Sequence, residues 1–160
     1  MGPMWRDAVE ESGRTPLIVV GVDGSSTSAA ALRWALEEAV RGGAEVEVVT
    51  AREREPAFVH STPTRLSPHG EQPHRHPVRE LHDLVAAASA RLRSAPEVTE
   101  VVLVGDPVEG LVRSSRHADL LVLGAHGRGG AAGMLLGSVL SDCLRRSACP
   151  VVVIPPGSVR

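Results

Sequence analysis

The sequence predicts an α/β fold: a single open sheet of five parallel strands with helices on both faces. Short, continuous apolar runs alternate with segments of helical periodicity, as in parallel strands joined by crossover helices. Aromatic residues make up only 2% of the chain against 42% hydrophobic residues, so Val, Leu, Ile and Ala must build the core. At 160 residues the chain suits one domain. We expect that domain to span residues 1–160, with its core at about 16–156.

The N-terminal part of the chain predicts a strand, a helix and a second strand. Residues 17–22 are continuously apolar and end at an Asp-Gly pair, which indicates a strand buried on both faces. Ser25 and Ser26 are candidates for the N-cap of a helix to about residue 41, where a glycine pair ends it. The second strand is predicted over residues 45–51.

Residues 52–77 differ in composition from the rest of the chain. They are rich in Pro and His and show no hydrophobic period, so we expect a long mobile loop. His74 and His76 have a spacing that could ligate a metal, but no cysteine or carboxylate arrangement completes a site. A solvated loop is the favoured interpretation, and no metal site is predicted.

The second half of the chain continues the alternation. Apolar residues at positions 78, 81, 85, 88 and 92 predict a helix, and Val98–Val104 predicts a strand. Asp106 as N-cap and Pro107 at the first helical position open a short helix to about residue 117. A strand over 120–123, a glycine-rich loop over 124–136, a helix over 138–147 and a strand at Val151–Ile154 follow.

The order of these elements points to the place where a ligand binds. Alternating strands and helices with right-handed crossovers leave few topologies, and we expect strand order 3-2-1-4-5. Ligands of such sheets bind beyond the carboxyl ends of the strands, where the winding changes direction. The first and fourth strands end at Asp23 and Gly124, so we expect the chemistry there.

The glycine-rich loop after the fourth strand has the frame Gly-x2-Gly-x9-Gly-Ser, formed by Gly124, Gly127, Gly137 and Ser138. Glycines let backbone amides approach a polyanion closely, and the free amides of a following helix can hold phosphate oxygens. Arg128 can add a charged contact. The alternative to a phosphate-binding loop is a flexible turn that only connects the strand to the helix. The chain contains no lysine, which excludes a P-loop of the Walker type.

These stretches together resemble the ATP-binding branch of the universal stress protein family. The similarity lies in Val-Gly-Val-Asp-Gly-Ser at 20–25, Ala-Asp-Leu-Leu-Val-Leu-Gly at 118–124, the glycine loop, and Gly-Ser-Val at 137–139 followed by Ala-Cys-Pro-Val-Val-Val-Ile at 148–154. It covers about residues 16–156. The resemblance implies a Rossmann-like fold of the adenine nucleotide alpha hydrolase type, with ATP and Mg²⁺ as ligands.

The resemblance also implies a role for each candidate site residue. Asp23 would contact adenine or its ribose edge, and the residues that line the adenine pocket would be Gly21, Val22 and Ala51. The residues around ribose and phosphates would be Gly124, His126, Gly127 and Arg128, with Gly129 and Gly130 in the same loop, and those at the phosphate tail Gly137, Ser138 and Val139. Leu140 departs from the family pattern, since many relatives carry Ser or Thr there and this chain has a serine only at Ser141.

Two of these residues admit simpler roles. Asp23 can serve as a turn residue and helix cap beside Gly24, because Asp-Gly is a common turn pair. His126 can be a loop residue that faces solvent.

Cys149 before Pro150 is interpreted as a packed small residue rather than a redox sensor. No nucleophile–base pair of recognisable spacing occurs, so no catalytic residues are predicted.

Composition narrows the class of function. A net charge of −2 argues against a basic face for nucleic acid or anionic membranes, and no run approaches the roughly 20 apolar residues of a membrane span. Two cysteines late in the chain fit a reduced pair, so we expect a cytoplasmic protein.

The predicted function is an ATP-binding regulatory module of a stress response, acting through an unknown protein partner. The alternative is a slow ATPase or phosphotransfer enzyme that uses the same pocket, and the third hypothesis is a dimeric scaffold with an empty pocket. The resemblance also implies a homodimer through the last strand, which is short, apolar and terminal.

Overall fold

The computed structural model describes residues 13–52, 76–127 and 137–157. The described residues form β1 (Leu17–Gly21), α1 (Ser26–Gly42), β2 (Glu45–Arg52), α2 (Pro77–Ser89), β3 (Val98–Val104), α3 (Pro107–Ser115), β4 (Leu120–Gly124), α4 (Ser138–Arg146) and β5 (Val151–Ile154). The predicted mobile loop lies outside the described residues except at its ends: Arg52 ends β2 and Pro77 begins α2. The middle of the glycine-rich loop, residues 128–136, also lies outside them.

The five strands form one parallel sheet in the order β3-β2-β1-β4-β5, which confirms the predicted topology. β1 is the central strand. In register, its Val19 lies opposite Glu47 of β2 on one side and Leu121 of β4 on the other. The chain builds outward through β2 and β3 and then crosses to β4 and β5, so the winding direction changes between β1 and β4.

Alternate residues of β1 enter two separate cores, one on each face of the sheet. Ile18 and Val20 pack with the apolar sides of α1 and α2, whereas Val19 packs with residues of α3 and α4. These three side chains are fully buried. Complete burial of such a side chain stabilises the fold by about 1.5–3 kcal/mol, so a continuous apolar run is what a strand in this position requires. The prediction of helices on both faces is confirmed.

The helix starts follow the predicted caps, and two helix ends differ from prediction. The Ser25 side chain accepts the Ser28 N–H at 3.2 Å, and the Asp106 side chain accepts the Val108 N–H at 2.8 Å. The helix predicted through residue 92 ends at Ser89, because Leu92 reaches the core from a turn closed by its N–H and the Ser89 carbonyl at 2.9 Å. Helix α3 likewise ends at Ser115 rather than at residue 117.

Two polar clusters stabilise the sheet away from its carboxyl edge. Asp119, just before β4, accepts the Leu17 N–H at 2.8 Å and pairs with the Arg14 guanidinium, whose pKa it raises by that hydrogen bond. The fully buried Ser115 hydroxyl donates to the Val112 carbonyl at 2.7 Å and accepts the Ala148 N–H at 2.9 Å. Both clusters satisfy backbone groups that burial would otherwise leave unpaired.

The two cysteines are free thiols. Cys143 is fully buried under the sheet, where desolvation, with a smaller contribution from Asp142, raises its pKa to about 11. Burial also raises the pKa of Cys149, which packs against the same core cluster. Both thiols are therefore protonated near neutral pH, and a protonated thiol is a poor nucleophile. This agrees with Cys149 as a packed residue.

We expect the free energy of unfolding to fall between pH 9 and pH 11. The Cys143 thiol has an ordinary pKa of 9.0 in the unfolded chain and a pKa of about 11 when folded. Within that window the folded protein retains a proton that the unfolded chain releases, so rising pH favours unfolding. The loss is on the order of 2 kcal/mol. Urea unfolding in steps across this range measures it.

The chain is well suited to this experiment because it contains neither lysine nor tyrosine, the other side chains that titrate there. Cys143→Ala should keep only the part of the pH dependence that comes from Cys149. An equally steep pH dependence in that variant would show that the buried thiol is not the source.

Candidate functional site

A cleft of about 890 Å³ opens at the carboxyl edge of the sheet, where β1 and β4 diverge. Ten of the thirteen predicted site residues belong to the described part of the chain, and all ten line this cleft: Gly21, Val22, Asp23, Ala51, Gly124, His126, Gly127, Gly137, Ser138 and Val139. The other three, Arg128, Gly129 and Gly130, lie outside the described residues. The cleft is at the position expected from the change in winding direction.

The side of the cleft formed by β2 and α2 is largely apolar. Val49 and Ala51 contribute from the strand, and Leu81 and Leu84 contribute from the helix. The end of β2 and helix α2 therefore both contribute apolar surface to this end of the cleft. An apolar lining of this kind suits a flat, weakly polar group such as an aromatic ring.

A charged pair, Arg52 and Glu80, also lines this side of the cleft, and the sequence analysis did not identify it. The Arg52 guanidinium at the end of β2 forms an ion pair with the Glu80 carboxylate on α2. Arg52 Nε is buried and has no hydrogen-bond partner among the described residues. The rule that pointed to Asp23, a charged residue at a strand end, would also have found Arg52. Glu80 could not be found that way, because its position depends on how α2 packs.

The opposite side of the cleft is formed by the connections that follow β4. Gly137 is the N-cap residue of α4, and as a glycine it provides no side-chain cap. Its N–H donates to the Ala125 carbonyl at 3.1 Å, while its carbonyl accepts the Ser141 N–H at 3.0 Å. The amides of the first turn of α4 therefore border the cleft without a capping side chain, an arrangement that attracts anions.

Two glycines of the loop occupy places where a side chain would collide. An ideal Cβ on Gly124 would lie 2.7 Å from the Thr27 carbonyl carbon and 2.9 Å from the Ser28 nitrogen. An ideal Cβ on Gly127 would lie 2.7 Å from Asp23 Oδ2. Glycine at these positions lets the end of β4 and the following loop approach the start of α1, which agrees with the close approach that the sequence analysis expected.

Asp23 has a structural role in a turn, and its side chain also lines the cleft. Its Oδ1 accepts the Ser25 N–H at 2.9 Å, and its own N–H donates to Ser28 Oγ at 3.3 Å. It is thus a turn residue at the start of α1, as the simpler interpretation held. Its side chain is also exposed in the cleft, with Oδ2 beside Gly127.

The departure at position 140 has a structural explanation. Leu140 is buried and packs with the core cluster between the sheet and helices α3 and α4. The hydroxyl of the neighbouring Ser141 donates to the Gly137 carbonyl at 3.1 Å, although Ser141 also lines the cleft. At this position the chain therefore has an anchor for helix α4 in place of a hydroxyl.

The described residues lack two other kinds of feature. They contain no cluster of three or more His, Cys, Asp or Glu side chains arranged to hold a metal ion. Helices with the length and apolar character needed to cross a membrane are also absent from this part of the chain.

Gly124→Ala should destabilise the fold, whereas Gly137→Ala should be tolerated. The new methyl group at position 124 meets backbone atoms that cannot rotate away, and overpacking of this kind costs about 1–3 kcal/mol. At position 137 the nearest atoms are 3.6–3.9 Å away, which is ordinary contact. Urea unfolding of both variants measures the difference. Equal stabilities would show that the β4–α1 contact is not tight.

The chain matches the model of the Universal stress protein family over residues 16–155. The universal stress protein Rv1996 of Mycobacterium tuberculosis is 36% identical over 154 residues, which cover 86% of this chain and 47% of that protein. Rv2005c of the same organism is 35% identical over 147 residues, covering 92% and 48%. The chain thus spans about half the length of these curated relatives.

Solved structures show the same similarity. A universal stress protein in complex with cAMP is 32% identical, with a TM-score of 0.59 and coverage of 87% of this chain and 95% of that one. UspA from Lactobacillus plantarum is 26% identical, with a TM-score of 0.61 and coverage of 89% and 99%. With its fold, its cleft and the match of residues 16–155, the chain belongs to the universal stress protein family.

Proposed function

We propose that this protein is a nucleotide-binding regulatory module of a stress response, with ATP and its accompanying Mg²⁺ as the ligand. The observation that carries the proposal is the convergence of the ten described candidate residues on one cleft. Family membership supports the role in stress, and the 32% identical structure in complex with cAMP supports an adenine nucleotide. A volume of about 890 Å³ lies within the usual range for small-molecule sites.

The two sides of the cleft differ in polarity, so each suits a different part of the proposed ligand. The apolar lining contributed by the end of β2, which includes Ala51, and by α2 suits the adenine ring. The start of α4, with Gly137 and Ser138, suits the phosphates, because its amides and the positive end of the helix dipole favour negative charge. Asp23 lies between them, where its exposed carboxylate can accept a hydrogen bond from a ribose hydroxyl.

Binding rather than turnover is the proposed activity. Among the described residues, the titratable groups where the connections after β1 and β4 border the cleft are Asp23 and His126, and the Asp23 carboxylate already accepts the Ser25 N–H. A slow ATPase remains the competing function, and phosphate release distinguishes the two. The regulatory proposal expects less than one phosphate per site over hours with Mg²⁺, whereas repeated turnovers would establish an enzyme.

ATP should bind with micromolar or tighter affinity, and Gly127→Asp should weaken binding at least about tenfold. The new carboxylate would stand next to Asp23 Oδ2 and near the phosphates, and like charges repel strongly in a cleft with apolar walls. Calorimetric titration of nucleotide-stripped protein with ATP and Mg²⁺ measures both affinities.

The matched control is Ser94→Asp, which adds the same charge on an exposed loop between α2 and β3. It should bind ATP like the wild type. No heat from the wild type, together with no nucleotide in the purified protein, would contradict the proposal and favour the scaffold hypothesis.

We further propose that two copies associate through β5, and that the protein is cytoplasmic. β5 is an edge strand, and Val151, Val152 and Val153 are only partly buried. An apolar edge of this kind is a ready template for a second strand. The free thiols of Cys143 and Cys149 fit a reducing compartment. The protein that receives the signal is not identified by these features.

Val153→Pro should convert the dimer to a monomer. The carbonyls of Pro150 and Ile154 accept N–H groups of β4 and its end, so by alternation the N–H of Val153 faces the open edge. Proline removes that donor and blocks strand addition. Sedimentation should give twice the 16.8 kDa chain mass for the wild type and the single mass for the variant. A variant that still sediments as a dimer would place the interface elsewhere.

A further inference from the structure

We propose that Thr27 is a positioning residue for the phosphate end of the cleft. Its hydroxyl holds the His126 carbonyl, so that the N–H of Gly127 is directed toward the ligand before the ligand arrives. The inference rests on the proposed function, and it assigns a role to a residue of α1 that lies outside the glycine loop.

The contact that carries the inference joins two distant parts of the chain. Thr27 Oγ1 donates a hydrogen bond to the His126 carbonyl, 99 residues later. The Ser25 hydroxyl donates to the same oxygen at 3.4 Å, a longer and weaker contact. Thr27 is only 7% exposed, although it stands in the first turn of its helix. Its hydroxyl is therefore directed inward, at the connection that follows β4.

Helix α1 does not need this hydroxyl for its own start. Ser25 is the N-cap residue, and its Oγ accepts the Ser28 N–H at 3.2 Å. The space for Thr27 Oγ1 comes from Gly124, whose ideal Cβ would lie 2.8 Å from that oxygen. Thr27 Oγ1 also lies 3.4 Å from Ser25 Oγ, a longer contact than its bond to the His126 carbonyl, so the main partner of the threonine hydroxyl is in the loop.

A hydrogen bond that fixes the orientation of the His126 carbonyl also fixes the orientation of the Gly127 N–H, which belongs to the same peptide unit. In a trans peptide the C=O and the following N–H point in opposite directions, and the described residues contain no cis peptide bond. With the His126 carbonyl directed at α1, the Gly127 N–H points away from α1. The Gly127 nitrogen lies 3.6 Å from the ideal Cβ position of Gly137, beside the start of α4. It therefore adds a donor next to the amides of the first turn of α4.

A donor fixed in advance improves binding because the ligand does not have to order it. Hydrogen bonds from backbone N–H groups to phosphate oxygens are charge-assisted and strong. Adenosine, which has no phosphate, does not use this donor. The contribution of Thr27 should therefore appear in the affinity for ATP and not in the affinity for adenosine.

The test compares Thr27→Val, which keeps the shape and removes the hydroxyl, with Thr27→Ser, which keeps the hydroxyl. Calorimetry with ATP and Mg²⁺, and separately with adenosine, measures both affinities. Thr27→Val should weaken ATP about three- to tenfold, the usual worth of one hydrogen bond. It should leave adenosine unchanged, and Thr27→Ser should bind both ligands like the wild type.

Equal weakening of ATP and adenosine in Thr27→Val would assign Thr27 a purely structural role and overturn the inference alone. Unchanged affinity for both ligands would overturn it as well. A wild type that binds no ATP would overturn the proposed function, and this inference with it.

A readout that does not depend on the folding of Thr27→Val is the Gly127 amide signal of the wild type and of Thr27→Ser. This signal should move on addition of ATP and not on addition of adenosine. The same shift with both ligands would contradict a phosphate-directed N–H.

Discussion

The contact between the end of β4 and the first turn of α1 determines the shape of the cleft. Gly124 lies against the backbone of Thr27 and Ser28 with no room for a Cβ. β1 leads into α1 on one face of the sheet, and β4 leads toward α4 on the other. This contact therefore sets how closely the two diverging connections meet. The cleft lies between these two connections because the winding direction changes there. The absence of a Cβ on Gly124 lets the end of β4 lie close to the start of α1.

The strands of the sheet could be predicted from the sequence because burial on both faces requires a simple pattern of residues. A central parallel strand is buried on both faces and must be continuously apolar, as residues 18–20 are. The caps Ser25 and Asp106 were also predictable, since the side-chain chemistry of a helix start is local. Candidate site residues such as Gly124 could be identified from the sequence because their backbone lies at the end of a strand.

What the sequence did not reveal depends on packing between segments that are distant in the chain. Arg52 and Glu80 meet because α2 lies across the end of β2, and helical spacing alone does not give that placement. Thr27 lies in the first turn of a helix, and its partner His126 follows 99 residues later, so the sequence does not indicate that they meet. The end of α2 was misjudged because Leu92 keeps the helical spacing while packing from a turn. Apolar spacing reports which residues are buried, not whether the backbone between them is helical.

The starts of helices α1 and α4, both beside the cleft, are capped differently, and this bears on where the charged end of a ligand lies. At α1 the amides of Ser25 and Ser28 are satisfied by Asp23 and Ser25 themselves, whereas at α4 the cap is a glycine without a side chain. The start of α1 thus has two amides bound by side chains, whereas the N-cap residue of α4 brings no side chain to its helix. In the proposed binding mode the phosphates lie at the start of α4, so the ligand there takes the place that a capping side chain occupies at α1.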